Sequence, residues 1–201
     1  MLAGGQSRRF GRSKVFEPIA GAPLPSWGVG VLQEAGLAVG VVSDAMGLET
    51  VLGVPTRPDL EPGLGPIGGL WTALQWARDR GDHGVLLLGC DMPLVNEALV
   101  RMVLGGPAAA PAVVPLGSAG LEPLCALYRL DCMAEVERRL HSPDRSLHGL
   151  TEAVGAAFIE ADVVASVVDL GTVFLNVNTV SDRDRAEGLL KERTPRASSR
   201  P

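Results

Sequence analysis

No stretch of this 201-residue chain approaches the roughly eighteen apolar residues of a membrane span, and no charged region followed by a long apolar one opens it. A soluble, cytoplasmic protein is the expectation. An excess of positive charge is also missing: 18 Lys and Arg stand against 23 Asp and Glu, a net charge of −5 and a pI near 5.2. Nucleic acid and anionic membranes both select a basic face, so neither is expected as a partner, and any phosphate chemistry has to be local. The three cysteines, Cys90, Cys125 and Cys132, are an odd number without a CxxC pair, which suits reduced, mostly buried thiols rather than a disulfide or metal framework. There is no internal repeat, no GxxxxGK[ST] and no GxGxxG, so solenoids and two common nucleotide folds lose support.

The 46% of hydrophobic side chains can build a substantial core, and the length asks for one domain, read as residues 1–192, with 193–201 as a disordered tail. Helical and strand patterns alternate. "SWGVGVLQEAG" reads as a helix with Ser26 as N-cap and Gly36 just past its end, and "LAVGVV" follows as a strand ending at Ser43. "GLWTALQWARDRG" puts Leu70, Ala73, Leu74 and Ala77 on one helical face and stops at Gly81, and "GVLLLGCDMP" is an apolar strand running into a turn. Later, "NEALVRMVL", "DCMAEVERRL", "SLHGLTEAV" and "SDRDRAEGLLK" read as helices, the last capped by Ser181, while "AVVP" and "EPLCALY" read as strands. "GGPAAAPAVVP" is a loop entering a strand. Short strands, apolar on both faces and separated by helices, predict an α/β, Rossmann-like three-layer fold: a mainly parallel sheet with an antiparallel strand near "EPLCALY".

In such sheets ligands sit beyond the carboxyl ends of the strands. The opening "MLAGGQSRRFGRSK" places Gly4 and Gly5, which let backbone N–H groups approach a ligand, on one segment with Arg8, Arg9 and Lys14, which supply positive charge. It reads equally as a phosphate cradle or as a solvated basic turn. Asp91, at the end of an apolar strand and two residues before Pro93, is a candidate Mg²⁺ ligand, because it is too far from the helix starting near Asn96 to cap it. His83, His141 and His148 fall in loops or on helices away from strand ends, and none is placed to activate Ser7 as a nucleophile.

In their order, "LAGGQSRRFGRSK", "PDLEPGLGPIGGL", "LGCDMP", "EPLCALY" and "FLNVNT" resemble the molybdenum cofactor guanylyltransferases, the MobA family of nucleotidyltransferases, over Leu2 to Thr179. The resemblance implies transfer of GMP from GTP to molybdopterin, giving molybdopterin guanine dinucleotide and pyrophosphate, with Mg²⁺ as cofactor. Molybdenum-insertion proteins and acceptor molybdoenzymes would be the partners downstream. Carried over by position, Leu2, Ala3, Gly4 and Gly5 match the backbone contacts to GTP, Lys14 the phosphate-binding lysine, Asp59 an acid of the guanine site and Asp91 the metal ligand. Ser43 matches a polar base contact, Gly65 and Gly69 the glycines beside the transfer site, and Asn176 with Asn178 the pterin end. Lys14 and Mg²⁺ would neutralise the α-phosphate, and Arg8 or Arg9 the departing pyrophosphate. "NVNT" also reads as a simple turn, although alternation about Val177 would aim both amides to one side.

A cytidylyltransferase or other nucleotidyltransferase acting on the same pterin or another phosphorylated acceptor, and a truncated, inactive nucleotide-binding or partner-binding module, are the alternatives. The family has a full apolar strand before "LAGG", whereas this sequence opens at Met1-Leu2, so the first strand is expected to be largely truncated. Either an in-frame Val, Ile or Leu-rich run lies upstream, or the copy is damaged.

Overall fold

A computed structural model describes residues 1–4 and 14–193. After a single 3-10 turn at Lys14–Phe16, the elements in chain order are β1 (Pro18–Ile19), β2 (Ala22–Pro23), α1 (Leu24–Glu34), β3 (Val41–Val42), α2 (Leu48–Leu52), β4 (Thr56–Arg57), α3 (Pro66–Arg80) and β5 (Gly84–Leu88). Then come α4 (Glu97–Leu104), β6 (Ala112–Gly117), β7 (Gly120–Leu121), β8 (Cys125–Arg129), α5 (Met133–Leu140), α6 (Leu147–Ala153), β9 (Ala157–Ile159), α7 (Ala161–Ala165) and α8 (Val180–Arg193).

The opening residues form a stub of strand between β3 and β5. Leu2 bridges in parallel to both Val42 and Gly89. Its N–H donates to Leu88 O at 2.8 Å and its C=O accepts from Cys90 N at 2.9 Å, while Ala3 N donates to Val42 O at 3.0 Å. With β3 parallel to β4, β5 and β6 each antiparallel to β8, and β6 parallel to β9, the order across the sheet is β4, β3, stub, β5, β8, β6, β9. β8, in the "EPLCALY" motif, runs against its neighbours, as does the short β7 that turns back from β6. The sheet is mainly parallel, as the apolar strands predict.

Adjacent residues of one strand go to opposite faces, and that alternation builds two cores. Val113, Cys125 and Leu127 join Leu32 of α1 and Leu99, Val100 and Val103 of α4 on one side. Ala112, Val114, Ala126 and Tyr128 join Leu70 and Leu74 of α3, Val136 of α5 and Leu150 of α6 on the other. A third cluster (Ile19, Leu24, Leu94, Val177, Ala186, Leu190) fastens the β1–β2 hairpin and α8 to the end of the sheet.

Three local readings change. Ser26 lies inside α1, which begins at Leu24 behind Pro23 and carries a proline in its first turn, where a missing N–H costs nothing. Thr179, not Ser181, caps α8: its hydroxyl accepts from Asp182 N at 3.1 Å, and the Asp182 carboxylate accepts from Thr179 N at 2.8 Å, a reciprocal pair. "LAVGVV" yields only the two paired residues Val41 and Val42. At that end, between Val39–Gly40 and Val85–Leu87, lies a cavity of about 220 Å³ that Met1 and Trp76 also line. The Met1 ammonium is buried there and donates to Gly40 O at 2.8 Å. Burial lowers its pKa to about 6, against a smaller upward push from Cys90.

Candidate functional site

The carboxyl ends of β4, β3, the stub and β5 lie on one edge of the sheet, and the polar groups that follow them meet there. The stub has β3 on one side and β5 on the other, a switch in strand order of the kind at which open α/β sheets bind ligands. Ala3 is buried and Gly4 exposed at this edge. Among the described residues, nothing lies within 4 Å of where a Gly4 side chain would begin.

Ser43, six per cent exposed, donates its hydroxyl hydrogen to Ala3 O at 2.7 Å and accepts from Ala45 N at 3.2 Å. The Ser43 hydroxyl thereby ties the end of β3 to the stub. Next to it, the Asp44 carboxylate accepts from Asp59 N at 3.2 Å. Asp59 in turn uses Oδ1 to accept from the Thr72 hydroxyl at 2.8 Å and from Glu61 N at 3.1 Å. Thr72 also accepts from Leu60 N at 2.9 Å, so one buried hydroxyl ties the loop of Asp59 to α3. Sequence reasoning noted Asp44 beside Ser43 at the end of its strand and missed Thr72. The visible signal for Thr72 was a polar residue between Leu70 and Ala73–Leu74 on a face that had to be buried.

Gly65 and Gly69 of "GPIGG" have different causes. Gly65, before the first turn of α3, has φ +72°, a conformation that side chains rarely adopt. Gly69 is required by packing: a Cβ there would lie 2.8 Å from Leu2 Cδ2, so its bareness lets α3 press the stub into the sheet. The first turn of α3 holds no acid, which leaves its positive end compatible with an anion.

Asp91 follows β5 after Gly89 and Cys90, and its Oδ1 lies 2.7 Å from the place a Gly89 Cβ would take, so the carboxylate folds back over the end of its own strand. Asn96 caps α4 through Leu99 N at 3.1 Å, which leaves Asp91 outside the capping role. Among the described residues no three His, Cys, Asp or Glu groups could hold a metal unaided. Mg²⁺ commonly keeps several waters and binds through one or two carboxylates together with substrate phosphates, so a single carboxylate is compatible with it.

The segment after Phe174 runs alongside. Val177, buried, donates its N–H to Asp91 O at 2.8 Å; half-buried Asn176 donates its amide to Phe174 O at 3.3 Å, and Asn178 is exposed. Lys14 opens the 3-10 turn at the far end of the opening loop. Gly5, Arg8 and Arg9 lie outside the described residues, as does the tail from 194. The three histidines are exposed and none adjoins this edge: His83 precedes β5, His141 ends α5 and His148 lies in α6. Cys90 is half-buried, and Cys125 and Cys132 are buried, their thiols pushed up to about 12 and about 11 by burial.

Residues 1–169 match the family model of the MobA-like NTP transferase domain. The chain is 33% identical over 186 residues to a probable molybdenum cofactor guanylyltransferase of Opitutus terrae, with 92% of each chain covered. It is 31% identical over 198 residues to the molybdenum cofactor guanylyltransferase of Rhodobacter capsulatus, with 97% of each covered. Its fold superposes on the crystal structure of molybdopterin-guanine dinucleotide biosynthesis protein A from Archaeoglobus fulgidus with a TM-score of 0.78 and 25% identity, covering 95% of this chain and 97% of that one.

Proposed function

For a chain that belongs to the MobA-like NTP transferase family, we propose guanylyl transfer: GTP gives its GMP to the terminal phosphate of molybdopterin, and pyrophosphate leaves. The observation that carries this reading is the convergence of the Ala3–Gly4 backbone, the Asp44–Asp59–Thr72 network and Asp91 on one edge of the sheet.

An oxygen of the acceptor phosphate attacks the α-phosphorus of GTP, and the bond from that phosphorus to the bridging oxygen breaks with its electrons passing to pyrophosphate. Both reactants are anions, so the protein's work is to align them and neutralise charge rather than to supply a nucleophile. Gly4 brings backbone N–H groups to the nucleotide, and Gly65 lets the positive end of α3 face it. Asp59, whose Oδ1 is held by Thr72, takes the donors of the guanine edge. Lys14 and Arg8 take the phosphates. Asp91 would hold Mg²⁺, which when bound supplies positive charge to the phosphate oxygens. Asn176 and Asn178 lie on the acceptor side of Asp91. One domain over 1–192 carries all these parts, and we place the protein in the cytoplasm; among the described residues no helix is long and apolar enough to cross a membrane.

Pyrophosphate release with molybdopterin and each of GTP, CTP, ATP and UTP tests the reading. GTP with Mg²⁺ should give both the fastest release and the largest rise in melting temperature, since a ligand at a hundred times its Kd stabilises the folded state by about 2.7 kcal/mol. Asp91→Asn should lower turnover at least about a hundredfold while leaving the melting temperature of the unliganded protein in place. A larger response to CTP would move the assignment to cytidylyl transfer, and no response to any nucleotide would leave only an inactive binding module.

A further inference from the structure

Glu122, the one acid of the "EPLCALY" motif, has no task in the site as described. Its turn is held at three points: Glu122 N donates to Pro115 O at 3.0 Å, Cys125 N donates to Glu122 O at 2.9 Å, and the buried Tyr128 hydroxyl donates to Pro123 O at 2.9 Å. A Cβ on Gly117 would lie 2.6 Å from Glu122 Oε1 and 2.9 Å from Phe174 Cδ2, so carboxyl and ring meet over a position that glycine leaves open. Phe174 is itself packed in the core and gives the half-buried carboxyl an apolar wall.

The register of the sheet places this carboxyl. Leu88, at the end of β5, pairs with Cys125, at the start of β8, so the residues just ahead of β8 share the edge that carries Asp91. Leu124 O accepts from Gly89 N at 2.8 Å, two residues from Asp91. Along that edge the order is Asp59, Ser43, Ala3, Asp91, Glu122, with the Phe174–Asn178 segment beside the last two. Asp91 thus stands between a nucleotide end and an end that Glu122 and Asn176 share.

We propose that Glu122 reads the acceptor: its two carboxylate oxygens take the adjacent N–H donors of the 2-amino-4-oxo-pyrimidine edge that a pterin presents, so that a pterin phosphate is chosen over other phosphate monoesters. The inference rests on the guanylyl-transfer reading. A carboxylate is the one side chain that offers two parallel acceptors, as it does to a guanidinium. Guanine carries the same donor pair, but Glu122 lies on the far side of Asp91 from Asp59, which assigns it to the pterin. Burial pushes its pKa up to about 7, and no Arg or Lys among the described residues offsets that. The neighbouring Cys125 thiol, itself pushed up to about 12, is uncharged at this pH, and Asp91 is the nearest other acid along the edge. Two donors favour the ionised form, so acceptor affinity rises as pH climbs through about 7.

The test compares the intact wild-type chain, Glu122→Gln and Glu122→Asp, each with Mg²⁺. The readouts are the GTP-induced melting shift, and pyrophosphate release against molybdopterin concentration between about pH 6 and 8.5. The expected result for Glu122→Gln is a molybdopterin KM raised about tenfold to a hundredfold, the cost of one charge-assisted hydrogen bond, with a smaller change in kcat and an intact GTP shift. In the wild type KM falls near pH 7; that step vanishes in Glu122→Gln, while the titration of the acceptor phosphate near pH 6 stays in both. Glu122→Asp, which keeps the charge, recovers part of the affinity. An unchanged KM, a step near pH 7 that survives in Glu122→Gln, or a lost GTP shift, which would mark guanine as the ligand, overturns the inference alone. A wild-type enzyme that releases no pyrophosphate with molybdopterin overturns the guanylyl-transfer reading, and the inference with it.

Discussion

The two flanks of the sheet are built to different standards. On one side, β3 and β4 pair over two residues and the stub bridges to its neighbours at Leu2, and the amino end of this flank borders the cavity of about 220 Å³ and holds a buried ammonium. On the other, β5 and β8 pair over five residues, β6 lies between β8 and β9, and both faces are filled. Yet the edge that carries the candidate site is continuous across both, because Leu2 and Ala3 keep their hydrogen bonds to β5 and β3 at the carboxyl end. A parallel sheet separates the two demands: carboxyl ends position chemistry, and the rest of each strand supplies stability.

The largest effect is expected on the full flank. Arg139, seven per cent exposed, donates to Glu135 Oε1 at 2.8 Å, Asp144 Oδ2 at 2.6 Å and Gly149 O at 2.7 Å, and so pins α5 to α6. Arg139→Ala should lower stability to urea by about 2–4 kcal/mol, short of the most costly buried pairs because Asp144 is half exposed. Hydrogen bonds from Arg138, and then Arg139, hold the Glu135 carboxyl down to about 2 from its ordinary 4.5. That contribution is present above about pH 4.5 and lost as pH falls through about 2, so Arg139→Ala should also flatten the acid limb of the stability profile. A loss under about 1 kcal/mol would show that the full flank does not depend on this network.

The stub flank should respond at a different pH. The Met1 amine has an ordinary pKa of 8.0 and a folded value of about 6, so its neutral form suits the fold. Stability is then full above about pH 8 and falls to its low plateau below about 6, a drop of about 2–3 kcal/mol. A short Val- and Ile-rich extension engineered ahead of Met1 should fill the cavity, remove the buried ammonium and level that slope. Equal urea midpoints at pH 6 and 8.5 in the unextended chain would erase the contrast between the flanks.

The smallest effect is expected from Tyr128→Phe, which removes the hydroxyl bond to Pro123 O and should cost about 1 kcal/mol. Its sharper readout is the acceptor KM, since the same bond steadies the turn of Glu122. A change in melting temperature with no change in KM would confine Tyr128 to packing.

Much of this was legible in the linear chain, for identifiable reasons. Strands buried on both faces must be apolar throughout, so "GVLLL" and "CALYR" announced themselves, and Gly36 and Gly81 marked helix ends because both take positive φ. The start of α1 was misplaced because its helix opens behind Pro23 with no side-chain cap to mark it, and that of α8 because two hydroxyls competed within one turn, where only hydrogen-bond geometry distinguishes Thr179 from Ser181. Asp91 stood out because an acid just past an apolar strand has few structural reasons to be there, whereas Asp59 and Asn176 took their candidate roles from the family resemblance. Ser43 stood out as the polar residue ending a strand, and only the fold shows that its hydroxyl donates to Ala3.

The α/β class, the odd strand at "EPLCALY" and the sequence of polar groups along the site were therefore written in local pattern, because burial and turn geometry act over a few residues. Which oxygen a hydroxyl bonds, why Gly69 must be bare, where the Met1 ammonium is enclosed and how Glu122 comes to share an edge with Asp91 were not. Each depends on a partner 37 to 67 residues away, roughly, brought close by strand order and register. A side chain's own neighbours in the chain carry no record of that pairing.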